Sequence, residues 1–340
     1  MKSDARHVRA AGRACVILFA RRISAAILGF LACTALSAGL LAPRTQAAPT
    51  APAAGAGDQC LVIDTDYDID DMMSIPLLLA NTRVAAIVTT EGYTLAPLGA
   101  SALARLIAEP NSATHVPVVI GAAYPGKRDT SKWPWLADLR KWMDRSNGLL
   151  SVPLPPRPDS NDYTKDLVKA VESCSSVKVL IIGPFTSFVR YGPALKNKIS
   201  QVVMSGQPRT HKLSFNCAYD EAACEAAFKD VKDLNGVRVE VPKKAKPPYS
   251  PTIEMVEGLK PYGLPGALRQ ALLSNQKNWR IDLLEGGNKS FLWDQLAALY
   301  LLHPELYHPE GAHLEPTVPP AEIQRLWTLY TNRAAEPVGQ

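Results

Sequence analysis

Five carboxylates crowd into eight positions of this 340-residue chain: Asp64, Asp66, Asp68, Asp70 and Asp71, within Ile63-Asp-Thr-Asp-Tyr-Asp-Ile-Asp-Asp. Like charges a few ångströms apart repel by a few kcal/mol each, even at an effective dielectric of about 20. Such a cluster either binds a cation or keeps some members protonated. An all-oxygen donor set favours a hard ion, calcium or magnesium, over zinc. Three other readings share the opening D-x-D. A calcium loop of the helix-loop-helix kind needs Gly at its sixth position and Glu at its twelfth, where this chain has Ile69 and Ile75. A phosphatase with an aspartate nucleophile would follow the motif with a small Gly-Thr pair, where Tyr67-Asp68 stands. A solvated acidic loop explains the charges but not their placement between a strand and a helix.

The elements that must position these groups follow from the apolar pattern. Short Val/Ile/Leu runs at Cys60–Asp64, Val84–Thr90, Val116–Ile120, Val177–Ile182, Ile199–Ser205 and Val237–Val241 are predicted strands. Helical patterns at Asp71–Asn81, Ala96–Ala108, Thr164–Glu172 and Ala218–Phe228 separate them. Strands that alternate with helices form βαβ units, and apolar runs without period-two alternation mark strands covered on both faces. The expected fold is α/β, a mostly parallel open sheet with helices on both faces. Asp64-Thr-Asp66, Glu91-Gly92-Tyr93, Gly183-Pro184-Phe185-Thr186 and Ser205-Gly206-Gln207 each follow a predicted strand directly. Ligands of open α/β sheets bind beyond the carboxyl ends of the strands, where all four motifs would converge.

Two stretches interrupt the rhythm. Lys127–Pro158, Pro-rich and carrying Trp133, Trp135 and Trp142, reads as a long insertion over the sheet; residues 242–268 read as a second loop before C-terminal helices. Such loops often frame a site, with a structural cap as the alternative. The three tryptophans read as core beneath a loop more readily than as a stacking platform. His115 and His303 are expected at element ends, and Arg209 and His211 on a surface loop.

Charge excludes a nucleic-acid partner. The net +5 comes from 37 Lys/Arg against 32 Asp/Glu, but residues 1–47 hold seven of the bases and one of the acids, leaving 30 and 31. No electrostatic basis for phosphate-backbone binding remains. The basic residues belong to a leader in which Arg21-Arg22 precede the apolar stretch Ile23–Ala42 and then Thr45-Gln46-Ala47. Residues 1–47 therefore read as a secretory signal, with a twin-arginine route as an option and a membrane anchor as the alternative. Residues 48–58, rich in Ala, Pro and Gly, read as a disordered linker, and 59–335 as one α/β domain. Cleavage would leave four cysteines, Cys60, Cys174, Cys217 and Cys224. An exported chain permits two disulfides. Cys60–Cys174 is the favoured pair, since each precedes a strand of one sheet; four free thiols are the alternative.

The acidic segment also resembles the D-x-D-x-x-x-D-D signature of the inosine–uridine preferring nucleoside hydrolase family. Four further stretches fit in order. Val179-Leu-Ile-Ile-Gly-Pro-Phe-Thr-Ser is similar to a strand ending in G-P-L-T-N, and Gln201-Val-Val-Met-Ser-Gly to I-V-x-M-G-G. Phe215-Asn-Cys-Ala-Tyr-Asp-Glu-Ala-Ala resembles E-F-N-x-x-x-D-P-E-A-A without its first residue, and Phe291-Leu-Trp-Asp294-Gln-Leu-Ala-Ala the late H-D-P-x-A. The resemblance covers about 59 to 310. It implies a Rossmann-like nucleoside-hydrolase fold and one Ca²⁺ held by Asp66, Asp71, Asp294 and the carbonyl of Ile182. It implies Asp66 as the general base toward the attacking water, Asp70 as acceptor from a ribose hydroxyl, and Asn216 near the 5′ side of the sugar. The expected partner is a small-molecule nucleoside or riboside, with no membrane after signal cleavage and a homo-oligomer compatible.

Departures from the family pattern concern the pocket. Asp68 replaces a Gly, Trp293 replaces a His beside the late Asp, Tyr93 or Glu91 stands where an Asn is common, and Ser187 and Ser214 replace an Asn and an acid. The loop Gln207–Leu213 is short. An indole stacks on a base but does not protonate one. Glu91, Tyr93, Asn216 and Trp293 are thus candidate substrate contacts. A weakened calcium- and sugar-binding protein of the same fold and a metal-dependent phosphatase are the alternatives.

Overall fold

The computed structural model describes residues 59–108, 115–126, 130–148, 162–205, 214–242, 249–274 and 292–335. All described residues belong to one compact unit, Pro49–Gln340. The leader 1–47, the linker 48–58, the loop Gln207–Leu213 with Arg209 and His211, and the ring of Trp142 lie outside the described residues.

Eight strands form one sheet: β1 (Gln59–Thr65), β2 (Val84–Thr89), β3 (Val118–Ile120), β4 (Ser176–Ile181), β5 (Ile199–Ser205), β6 (Gly236–Val239), β7 (Tyr307–Glu310) and β8 (His313–Pro316). Their order is β3-β2-β1-β4-β5-β6-β8-β7. All neighbours are parallel except the β7–β8 hairpin. Alternate residues of each strand feed two cores. Ile63, Ile87, Leu180 and Val203 pack on one face with α1 (Ile69–Asn81), α2 (Ala96–Ile107) and α10 (Trp293–Leu302). Val62, Val88, Val179 and Val202 pack on the other with α4 (Tyr163–Ala170), α5 (Phe188–Leu195) and α7 (Glu221–Asp230). Each such side chain contributes about 1.5–3 kcal/mol on burial, and two covered faces explain the absence of polar alternation.

The expected strands are present with ends shifted by one or two residues. Three differences have physical causes. The pattern at Ala218–Phe228 is two helices, α6 (Phe215–Tyr219) and α7, because Asp220 breaks the run and accepts the Ala223 amide as the cap of α7. The insertion expected as a loop contains a helix, α3 (Leu136–Gly148), whose Leu136, Leu139 and Met143 enter the core shared with α2 and α9 (Gly263–Leu273). The second expected loop contains α8 (Ile253–Glu257) and the start of α9. His303 ends α10 as expected, with its ring between Glu305 and Tyr330. After it come β7, β8 and α11 (Pro320–Thr331), whose buried Trp327 donates to the Met73 carbonyl of α1.

Both disulfides allowed by the cysteine count form. Cys60–Cys174, the favoured pair, joins β1 to the loop before β4 across 114 residues. Cys217–Cys224 ties α6 to α7. No helix among the described residues is long and apolar enough to cross a membrane.

Candidate active site

The strand order reverses between β1 and β4, since β2 and β3 lie to one side of β1 and β5 and β6 beyond β4. Loops leaving two adjacent strands in opposite directions open a crevice at their carboxyl ends, the usual ligand site of such sheets. Asp66 lies just beyond β1, and Ile182-Gly183 just beyond β4. The two exits touch: the Ile182 amide donates to the Asp64 carbonyl at 2.8 Å, and a Cβ on Gly183 would lie 2.6 Å from the Asp66 nitrogen. Only glycine allows that approach.

Between β1 and α1 the chain turns sharply. Tyr67, fully buried, adopts φ +55°, a left-handed backbone that costs a non-glycine residue of order 1 kcal/mol or more. The family pattern puts the departure from glycine at Asp68, but the left-handed residue is Tyr67, whose amide is held by the Thr65 hydroxyl at 3.0 Å. Asp68 caps α1, and Asp70 and Asp71 occupy its first turn, where the helix dipole favours carboxylates. Asp71 is tied down by the Thr65 hydroxyl and by the Asp68 amide at 3.2 Å.

Asp294 arrives from more than 220 positions later in the chain, in the first turn of α10, which packs along α1. One carboxylate oxygen each from Asp70, Asp71 and Asp294 come within 4.8 Å of one another. Asp66, Asp71 and Asp294 are at most 3% exposed. Burial, then the charge of Asp71, pushes the Asp66 carboxyl well above the ordinary range. Burial, then the charges of Asp70 and Asp71, does the same to Asp294. Burial raises Asp71 to about 7, against the Thr65 hydrogen bond. Asp294 and Asp71 share a hydrogen bond that favours the proton on Asp294, and the Ser205 hydroxyl at the end of β5 also reaches Asp294. Oxygen donors gathered at such electrostatic cost fit a hard divalent cation.

Asp66 is held asymmetrically. The Tyr93 amide donates to Oδ2 at 2.8 Å, and the Thr94 amide and hydroxyl donate to the Asp66 carbonyl. Oδ1 is buried and has no hydrogen-bond partner among the described residues. A Cβ on Gly92 would collide with this carboxylate, so the loop after β2 closes on Asp66 only because residue 92 is glycine. An oriented carboxylate with one free oxygen is suited to accept a proton.

The remaining expected site residues fall around this centre. The Ile182 carbonyl accepts the Asn216 side-chain amide at 2.7 Å. That bond fixes the direction of the carbonyl and leaves its second lone pair. Both oxygens of Glu91 are engaged within the chain, Oε1 by the Tyr219 hydroxyl at 2.6 Å and Oε2 by the Tyr124 amide at 3.1 Å. Tyr93, Trp133, Trp135 and Phe215 form one half-buried aromatic array, with Tyr93 and Phe215 rings 4.2 Å apart. The insertion thus delivers Trp135 beside the loop after β2 and Trp133 beside α6. Trp293 is 40% exposed while its neighbour Asp294 is 3% exposed.

Asp64, the first carboxylate of the cluster, belongs elsewhere. It points to the other face of β1, accepts the Thr90 hydroxyl at 2.5 Å and faces Tyr191 of α5; burial raises it to about 7. Arg140 is a residue that sequence reasoning missed. Its guanidinium donates to the Gly92 and Tyr93 carbonyls at 2.8 and 3.1 Å. The signal was available: Arg140 lies one helical turn beyond Leu136, on the buried stripe of α3, where a lone Arg needs acceptors.

Comparison with known proteins agrees with this geometry. Residues 61–327 match the model of the inosine-uridine preferring nucleoside hydrolase family, and the chain belongs to that family. It is accordingly a hydrolase of the ribonucleoside N-glycosidic bond, in a metal-dependent family. Among solved structures it is similar to a purine-preferring ribonucleoside hydrolase from Gardnerella vaginalis, at 16% identity and TM-score 0.57 over 81% of this chain and 99% of that one. The inosine-uridine preferring nucleoside hydrolase from Bacillus anthracis gives 16% and 0.55 over 81% and 99%. The type III effector protein XopQ, complexed with adenosine diphosphate ribose, gives 17% and 0.52 over 82% and 92%. At these identities the likeness shows the fold. No curated protein sequence matches the chain.

Proposed function

We propose that this chain is an exported, calcium-dependent hydrolase of the N-glycosidic bond in ribonucleosides or related ribosides. The observation that carries the reading is the meeting of half-buried Asp70 with buried Asp71 and Asp294 in one oxygen cluster beside Asp66, at the switch point of the sheet. The ion's ligands would be Asp66, Asp71, Asp294 and the Ile182 carbonyl. When bound, Ca²⁺ would supply a fixed positive charge that orients the sugar diol and acidifies water.

The side chains do the rest. Asp66 takes a proton from the attacking water through Oδ1, the oxygen that the Tyr93 amide leaves free. Asp70, half-buried at the start of α1, accepts a ribose hydroxyl. The carboxylate-rich pocket stabilises the positive charge that develops on the ribose as the C–N bond breaks. Asn216 and Tyr93 border the sugar and the leaving base, and the array of Tyr93, Trp133, Trp135 and Phe215 offers that base a π face. Export rests on the basic and apolar leader with its small-residue cleavage motif, and on four cysteines positioned to pair twice.

Release of ribose from inosine, uridine and nitrophenyl riboside tests the activity. Turnover that disappears with a chelator, returns with calcium and is lost in Asp66→Asn is the expected result. Turnover that is indifferent to chelation or retained in Asp66→Asn contradicts it. Tight calcium and ribose binding without turnover would instead favour a sugar-recognition protein. The amino terminus of the mature protein, read by mass spectrometry from an extracellular or periplasmic fraction, tests export; an intact Met1 there would contradict it.

A further inference from the structure

We infer that Arg140 is a positioning residue for Asp66, acting through the loop after β2; the inference rests on the role of Asp66 proposed above. Three links connect them. Helix α3 is anchored by Leu136, Leu139 and Met143, each at most 1% exposed, so Arg140 projects from a fixed support. Its guanidinium spans two successive carbonyls of one loop, Gly92 at 2.8 Å and Tyr93 at 3.1 Å, and reaches the Tyr219 hydroxyl at 3.4 Å. The same loop donates the Tyr93 amide to Asp66 Oδ2 at 2.8 Å.

The peptide between Gly92 and Tyr93 is therefore gripped on both edges. Arg140 holds its carbonyl, and Asp66 accepts its N–H. Rotation of this peptide would withdraw the N–H from Oδ2 and let the carboxylate turn. The grip thus decides which oxygen of Asp66 is engaged and which stays free. Gly92 makes the close approach sterically possible, but a glycine has no preferred conformation of its own and needs an external clamp. The planar fork of Arg reaches both carbonyls at once; the single ammonium of Lys does not. Misplacement of a catalytic group by about 1 Å costs on the order of a hundredfold in rate.

Arg140→Ala and Arg140→Lys test this, each measured far below its melting temperature. The readouts are kcat and KM on nitrophenyl riboside, and calcium affinity by calorimetry. Arg140→Ala is expected to lose about tenfold or more in kcat with KM changed less than about threefold, and to bind calcium more weakly. Millimolar guanidinium, too dilute to unfold the chain, is expected to restore part of both losses. Arg140→Lys falls between the two and carries the test should Arg140→Ala not fold. Wild-type kcat and calcium affinity in these variants would overturn the inference. So would a loss that guanidinium leaves untouched and that follows the fall in melting temperature. If the wild type hydrolyses no riboside, the functional proposal fails by itself, and the calcium titration still decides whether Arg140 acts on Asp66.

Discussion

Burial, with the neighbouring acids, holds the Asp66, Asp71 and Asp294 carboxyls above their ordinary range, and a cation in the site would favour their charged forms. Removing one of them changes both the charge and the number of donors. Asp294→Ala is expected to weaken calcium binding at least about tenfold, the usual cost of losing one metal ligand or its support; calorimetry checks it, and unchanged affinity would remove the late segment from the site. At this scale the sequence exposes what is dense and short-range. Five aspartates in one stretch, and a late Asp in a recognisable context, could be read directly. The split within the cluster could not, because Asp64 and Asp66 differ only in which side of β1 and its exit they occupy. Nor could the grip of Arg140, since its acceptors are backbone carbonyls about 48 positions away and carbonyls have no sequence signature.

The ends of β1, β2 and β4, together with α1, α6 and α10, carry the site, and each is fastened by a different device. Gly92 lets the loop after β2 lie against Asp66, so Gly92→Ala is expected to lower kcat by about tenfold or more and, through the collision with the buried Asp66, to cost about 1–3 kcal/mol of stability. An unaffected kcat would show that the loop can shift without cost. Cys60–Cys174 stitches β1 to the loop before β4 across 114 residues. Replacing both with Ser is expected to cost about 2–5 kcal/mol of stability in denaturant titration, with calcium affinity retained. Cys217–Cys224 fastens α6, which presents Phe215, Asn216 and Tyr219, so its loss should raise KM rather than abolish folding. Strands covered on both faces were legible because an unbroken Val/Ile/Leu run has few other uses. Helix α3 was not, because Pro and Trp around it resemble a loop and only packing against α2 and α9 makes its apolar stripe visible. The β7–β8 hairpin escaped for a similar reason: His308, Glu310, His313 and Glu315 offer no apolar run to detect.

For the molecule as a whole, the buried acids couple stability to pH. Asp64 and Asp71 rise from 3.8 to about 7 on folding. Between those values the folded chain binds protons that the unfolded chain has released, so stability falls as pH climbs from about 4 to about 7 and levels off above. At the proposed ion site, calcium competes with the proton of Asp71. The rise in melting temperature on adding calcium is therefore expected to be larger at about pH 8 than at about pH 5, as scanning calorimetry would show. An equal rise at both pH values would mean that the ion binds away from Asp71.

The account depends on aspartates from both ends of the domain closing on one ion. Anomalous scattering from crystals grown with calcium tests it most directly. One peak is expected at the carboxyl ends of β1 and β4, about 2.3–2.6 Å from oxygens of both Asp71 and Asp294. A peak that touches neither residue, or none at a calcium concentration that supports turnover, would contradict it.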